Sequence, residues 1–67
     1  MTTIILNGDN KQIDSNITIE QLLQNLDLGD KRLAVEINQQ IIPRSSFGSH
    51  KLEEQDKVEI VQAIGGG

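Results

Sequence analysis

The chain has 67 residues and no cysteine, so it holds one small domain with no disulfide, no thiolate metal site and no cysteine nucleophile. Its formal net charge of −4 repels nucleic acid, and its single aromatic residue, Phe47, leaves no platform for stacked bases. At the N-terminus no apolar run follows a basic segment, and no stretch reaches membrane-spanning length, which together predict a soluble cytosolic protein without a membrane partner.

Thr3-Ile4-Ile5-Leu6 is apolar and β-branched and predicts a first strand. Asn7-Gly8 accepts positive φ and predicts a hairpin turn, with Lys11 to Asp14 returning as a strand with one face in water. Ile17 to Gly29 is the strongest helix pattern. Thr18 stands at the N-cap with Gln21 three residues on, as in a capping box, and Ile17 and Leu22 are placed to form a hydrophobic staple. Glu20 favours the positive end of the helix dipole. Ile19, Leu22, Leu23 and Leu26 make one apolar face that should cover a sheet, and Gly29 is placed to cap the C-terminus.

Arg32 to Asn38 alternates, with Leu33, Val35 and Ile37 on one face and Ala34 and Glu36 on the other, which predicts a third strand. Asn38-Gln39-Gln40 reads as a polar turn. Ile41-Ile42, stopped by Pro43, reads as an edge strand at most. Arg44 to Ser49 is irregular, with Phe47 tucked against the core, and Leu52 anchors another brief extended piece. Glu53 to Asp56 is an acidic loop. The last strand puts Val58 and Ile60 on one face and Glu59, Val61 and Ala63 on the other. Strand, strand, helix, strand, short strand, strand predicts an α+β domain over residues 1–64, one helix packed on a mixed sheet of four or five strands. Residues 65–67 form a separate tail.

The interior of this sequence offers no active site. His50 is the sole histidine and lies in a polar loop. Glu53, Glu54 and Asp56 lack the length and glycine of a calcium loop. Ser45, Ser46 and Ser49 have no evident base, Gly8 belongs to a turn rather than a phosphate loop, and Arg44 is an exposed residue free to pair with solvent or a partner. Attention therefore falls on Gly65-Gly66-Gly67. A strand ending in glycines is a rigid handle with a thin, flexible tip, able to reach roughly 10–15 Å at about 3.3–3.6 Å per residue. Glycine backbone passes a narrow channel without steric cost, and the reactive group at the end is the Gly67 carboxylate. The same glycines also fit an ordinary frayed terminus. If the chain does chemistry, its own carboxylate is the reagent: activation as an acyl-adenylate opens it to a sulfur or nitrogen nucleophile, and with no cysteine a carried sulfur must be a thiocarboxylate. The ATP site must then belong to another protein.

These residues resemble a known family. Thr18-Ile19-Glu20-Gln21-Leu22-Leu23, Ala34-Val35-Glu36-Ile37-Asn38 with Ile41-Ile42-Pro43-Arg44, and Val58-Glu59-Ile60-Val61 leading to Gly65-Gly66-Gly67 are similar to the ThiS family, small ubiquitin-like sulfur carriers of thiamine biosynthesis with the β-grasp fold. The resemblance spans nearly the whole chain. It departs at Gln55-Asp56, where relatives carry Gly-Asp, which leaves that turn's conformation open. It departs also at Phe47, near a position often held by tryptophan.

The resemblance implies a carrier that is not itself an enzyme and binds no cofactor. A ThiF-type enzyme would adenylate Gly67 with ATP, a cysteine desulfurase system would supply sulfur, and a thiazole synthase would take it for the thiazole ring. Gly66 and Gly67 match the family's terminal pair. It further implies that the sheet face beside the tail docks both enzymes, with Ile42, Val61, Ala63, Ile64 and Phe47 as the candidate contacts. Carriers for molybdopterin or tRNA thiolation, a lysine-conjugated ubiquitin-like modifier, and a binding domain with an inert tail are the competing readings.

Overall fold

The computed structural model describes residues 1–29 and 31–62. Strands β1 (Thr2–Leu6) and β2 (Asp9–Ile13) precede helix α1 (Ile19–Asn25). Strands β3 (Leu33–Ile37) and β4 (Gln40–Ile42), a 3-10 turn (Arg44–Ser46) and β5 (Lys57–Gln62) follow. The sheet order is β2-β1-β5-β3-β4. β5 runs parallel to β1 and antiparallel to β3, and both hairpins are antiparallel. The expected α+β architecture is present, with five strands and one helix.

Both hairpins turn in two residues. Leu6 pairs with Asp9 across Asn7 (φ 49°) and Gly8 (φ 90°), the left-handed pair of a type I′ turn. The ladder opens directly after the turn, so β2 starts at Asp9 rather than Lys11 and leaves Asp14 outside. Ile37 pairs with Gln40 across Asn38 (φ 52°) and Gln39 (φ 72°), so Gln40 belongs to β4 rather than to the turn.

Helix α1 begins as expected and ends early. The Thr18 N–H donates to Gln21 Oε1 at 2.9 Å, and the Gln21 N–H donates to Thr18 Oγ1 at 3.2 Å, completing the capping box. Ile17 and Leu22 both lie in the core, as a staple requires. The next two free amides are met by the loop before β5: Ile19 N–H donates to the His50 carbonyl and Glu20 N–H to the Phe47 carbonyl, each at 3.0 Å. At the other end Asp27, not Gly29, takes the left-handed position (φ 63°). Asp27 N–H donates to the Gln24 carbonyl at 3.0 Å and Leu28 N–H to the Leu23 carbonyl at 2.8 Å, a Schellman termination. The helix stops there because Leu28 folds back onto the core.

The core joins Ile4, Ile13, Ile17, Ile19, Leu22, Leu23, Val35, Ile37, Phe47, Leu52, Val58 and Ile60. No polar or charged side chain is buried among the described residues. Apolar burial, at about 1.5–3 kcal/mol for each fully buried aliphatic or aromatic side chain, therefore carries the stability. Phe47 and Leu52 extend this core beneath the loop.

The turn at which the sequence departs from the family pattern adopts the conformation that favours glycine: Gln55 has φ 69°. Its amide donates to the Thr3 carbonyl at 2.7 Å, which holds the loop against β1. A left-handed non-glycine residue costs about 1–2 kcal/mol, partly offset by the extra unfolded-state freedom of glycine. Gln55→Gly should therefore raise stability by about 0.5–1 kcal/mol, read as a higher urea midpoint with an unchanged slope.

Candidate functional site

The chain's last described strand, β5, is the middle strand of the sheet. Its alternation is as expected: Val58 and Ile60 are buried, while Lys57, Glu59 and Val61 point to the opposite face. Main-chain ladders hold it on both sides, and two asparagines complete them. Asn7 leaves β1 for the hairpin turn, so its main chain cannot follow β5 further. Its side chain continues instead: Ile60 N–H donates to Asn7 Oδ1 at 2.9 Å, and Asn7 Nδ2 donates to the Ile60 carbonyl at 3.3 Å. On the other side the Asn38 N–H donates to the Lys57 carbonyl at 2.9 Å, and Lys57 N–H donates to Asn38 Oδ1 at 3.0 Å. Asn38 Nδ2 donates to Asp56 Oδ1 at 3.0 Å, while Asp56 Oδ2 accepts from Glu53 N–H at 2.8 Å. Both asparagines sit at left-handed turn positions, which asparagine tolerates better than most residues.

The face away from the helix is set by register. Val61 lies opposite Ala34, Glu59 opposite Glu36, and Ile41 opposite Glu36 on its other side. Val61 and Ile41 are 60% and 73% exposed, the most exposed large aliphatic side chains among the described residues apart from Met1. This face thus presents apolar groups with carboxylates between them, beside the strand that leads to the glycines.

Two candidate contacts lie on the helix side of the sheet or in the core. Ile42 pairs with Val35 on the helix-facing side and packs against the core, so Ile41 is its outward counterpart. The signal was present: a two-residue turn at Asn38-Gln39 puts Ile41 opposite outward Glu36. Phe47 is 6% exposed, so it fulfils the expectation of a core residue and offers no docking surface. Val61 is placed as expected. Ala63, Ile64, Gly65, Gly66 and Gly67 lie outside the described residues.

The remaining polar candidates are dispersed. Arg44 Nη2 donates to the Lys31 carbonyl at 3.0 Å. An open hollow of about 410 Å³ lies between α1 and the 3-10 turn, lined by Glu20, Leu23, Gln24, Gly29, Arg44 and Phe47. Among the described residues no group of three or more His, Asp or Glu side chains is disposed to hold a metal ion. No helix there is long and apolar enough to cross a membrane. In the acidic loop Glu54 is held below the usual carboxylate range, first because Oε1 accepts the Thr3 N–H at 3.0 Å and second because Oε2 accepts from Gln55 Nε2. A depressed folded pKa gives stability that is present above the unfolded value and lost as pH falls through the folded one.

The ThiS family model matches residues 4–67. The chain belongs to the ThiS family. It is 34% identical over 64 residues to the sulfur carrier protein ThiS of Escherichia coli, covering 96% of this chain and 97% of that one. It is 38% identical over 64 residues to a thiazole synthase of Paramagnetospirillum magneticum, where it spans 96% of this chain but only 20% of that protein's length. The crystal structure of a thiamine biosynthesis protein, ThiS, from Geobacter metallireducens superposes with a TM-score of 0.85 at 25% identity, covering 98% of this chain and all of that one. The fold is accordingly the β-grasp.

The inside–outside assignment of β4 has a direct check. Ile41→Ala should leave stability within about 0.5 kcal/mol, as at other exposed sites. Ile42→Ala should cost roughly 1–2 kcal/mol, less than a full core truncation because the side chain is half-buried. Chemical denaturation of both variants measures the difference.

Proposed function

We propose that this chain is a sulfur carrier of thiamine biosynthesis and that the Gly67 carboxylate is its working group. The observation that carries the reading is the conjunction of family and site. A ThiS-family β-grasp domain has no buried polar side chain among its described residues, and its middle strand runs toward Gly65-Gly66-Gly67. A fold with no preorganised catalytic group in its described interior suits a protein that is acted upon.

The chemistry follows from the carboxylate. It attacks the α-phosphorus of ATP on a ThiF-type enzyme, forming the acyl-adenylate and releasing pyrophosphate. A desulfurase draws sulfur from cysteine as a persulfide, a thiol reductant brings it to the level of sulfide with formation of a disulfide, and hydrosulfide adds to the acyl carbon as AMP leaves. The product is a thiocarboxylate, which hands its sulfur to a thiazole synthase. ATP is bound by the activating enzyme, so the carrier itself needs no cofactor. The relative named thiazole synthase supports that recipient over the molybdopterin and tRNA-thiolation alternatives.

Docking falls to the outward sheet face at Val61 and Ile41, and Ala63 and Ile64 remain candidate contacts on the resemblance alone. Val61 and Ile41 share this face with β3 between their strands, and large apolar side chains exposed on one face suit a protein contact. Val61→Asp should preserve the fold, because the side chain is exposed, and should slow adenylation at least about tenfold by burying an unpaired charge in the contact. Pyrophosphate release with the activating enzyme reads this out.

The test of the carrier reading is intact and fragment mass spectrometry after incubation with ATP, sulfide and the activating enzyme. Sulfur in place of oxygen, located at Gly67, is the expected result. Location matters because oxidation of Met1 gives the same nominal mass. An unmodified carboxylate, with an activating enzyme competent on its own carrier, would overturn the reading.

A further inference from the structure

Asn7 is the only asparagine in this chain followed by glycine. Asn-Gly is the pair most prone to spontaneous ring closure, because glycine puts no side chain in the way of its own amide nitrogen. The φ of Gly8 is 90°, and a Cβ built there meets nothing within 4 Å, so the turn itself is open. Yet the Asn7 carboxamide is not free: it accepts from the Ile60 amide at 2.9 Å and donates to the Ile60 carbonyl at 3.3 Å.

We infer that Asn7-Gly8 is a modification site whose reaction is held back by the same two hydrogen bonds that fix β5, and that deamidation there loosens the strand leading to the C-terminus. In the reaction the Gly8 amide nitrogen attacks Asn7 Cγ. A C–N bond forms, the side-chain nitrogen leaves as ammonia, and a succinimide results. Water then opens the ring at either carbonyl to give aspartate or isoaspartate. No other reagent is needed.

Ring closure requires Cγ to swing toward the Gly8 nitrogen, so the carboxamide must first release Ile60. Two modest hydrogen bonds together slow that step by about tenfold or more relative to the unfolded chain. The products cannot restore the contact. Aspartate still accepts from the Ile60 amide but sets a carboxylate against the Ile60 carbonyl. Isoaspartate routes the main chain through Cγ, adding a methylene to a two-residue turn that fixes the Leu6–Asp9 register. Both add a negative charge to a chain already at −4. The inference concerns the fold alone and stands whether or not the chain carries sulfur.

The experiment is a time course of the full chain in mildly alkaline buffer, with and without denaturing urea, followed by peptide mapping with mass spectrometry. The separated deamidated chain is then unfolded in urea beside the starting material. The expected result is deamidation at Asn7 before Asn10, Asn16, Asn25 or Asn38 in urea, at least about tenfold slower reaction in the folded chain, and a lower midpoint for the product. Equal rates with and without urea, or a product as stable as the starting chain, would overturn it.

Discussion

The structure depends on one constraint: the last strand of the chain must be the middle strand of the sheet. β5 can enter only between β1 and β3, and both of its neighbours leave for tight turns close to it. Apolar burial of Val58 and Ile60, at about 1.5–3 kcal/mol each, supplies most of the stabilisation there. The asparagine contacts are worth nearer 1 kcal/mol apiece, so they do not dominate stability. They instead decide register, because each mimics a main-chain partner at a point where the neighbouring strand has turned away. Asn7 serves β1 at Ile60, and Asn38 serves β3 at Lys57.

In the proposed reading, that arrangement lets so small a domain serve as a handle. Burial of the helix face, Phe47 and Leu52 fills the space on one side of the sheet, and the loop carrying Phe47 also satisfies the first amides of α1. The opposite side is left to solvent and carries Val61 and Ile41 with Glu59 and Glu36 between them. In the proposed reading the domain contributes recognition and position, and the reacting atoms lie at Gly67, five residues beyond Gln62.

Much of this was legible in the sequence because periodicity and turn chemistry are local. The alternation of Leu33 to Ile37, the Asn7-Gly8 turn and the Thr18–Gln21 capping box were each readable from a few residues and recur in the structure. The helix end was not, because Gly29 is the obvious stop and Asp27 takes that role only when Leu28 is drawn into the core. The face of Ile42 is hidden for a related reason: a two-residue apolar strand has no alternation of its own, and its faces follow from pairing with β3. A lone aromatic in an irregular segment fits either core or contact by sequence, and Phe47 lies in the core. The long-range role of Asn7 at Ile60 has no sequence signal, since it depends on a parallel pairing between the two ends of the chain.

The central claim is that fold and reagent are separate parts of this chain. It is tested most directly by appending one alanine after Gly67 and following both urea unfolding and sulfur delivery to a thiazole synthase. The added residue moves the carboxylate by roughly 3.5 Å of chain, far more than the about 1 Å that reaction geometry tolerates. The account predicts an unchanged unfolding midpoint and lost sulfur delivery. Delivery at the original rate would contradict it.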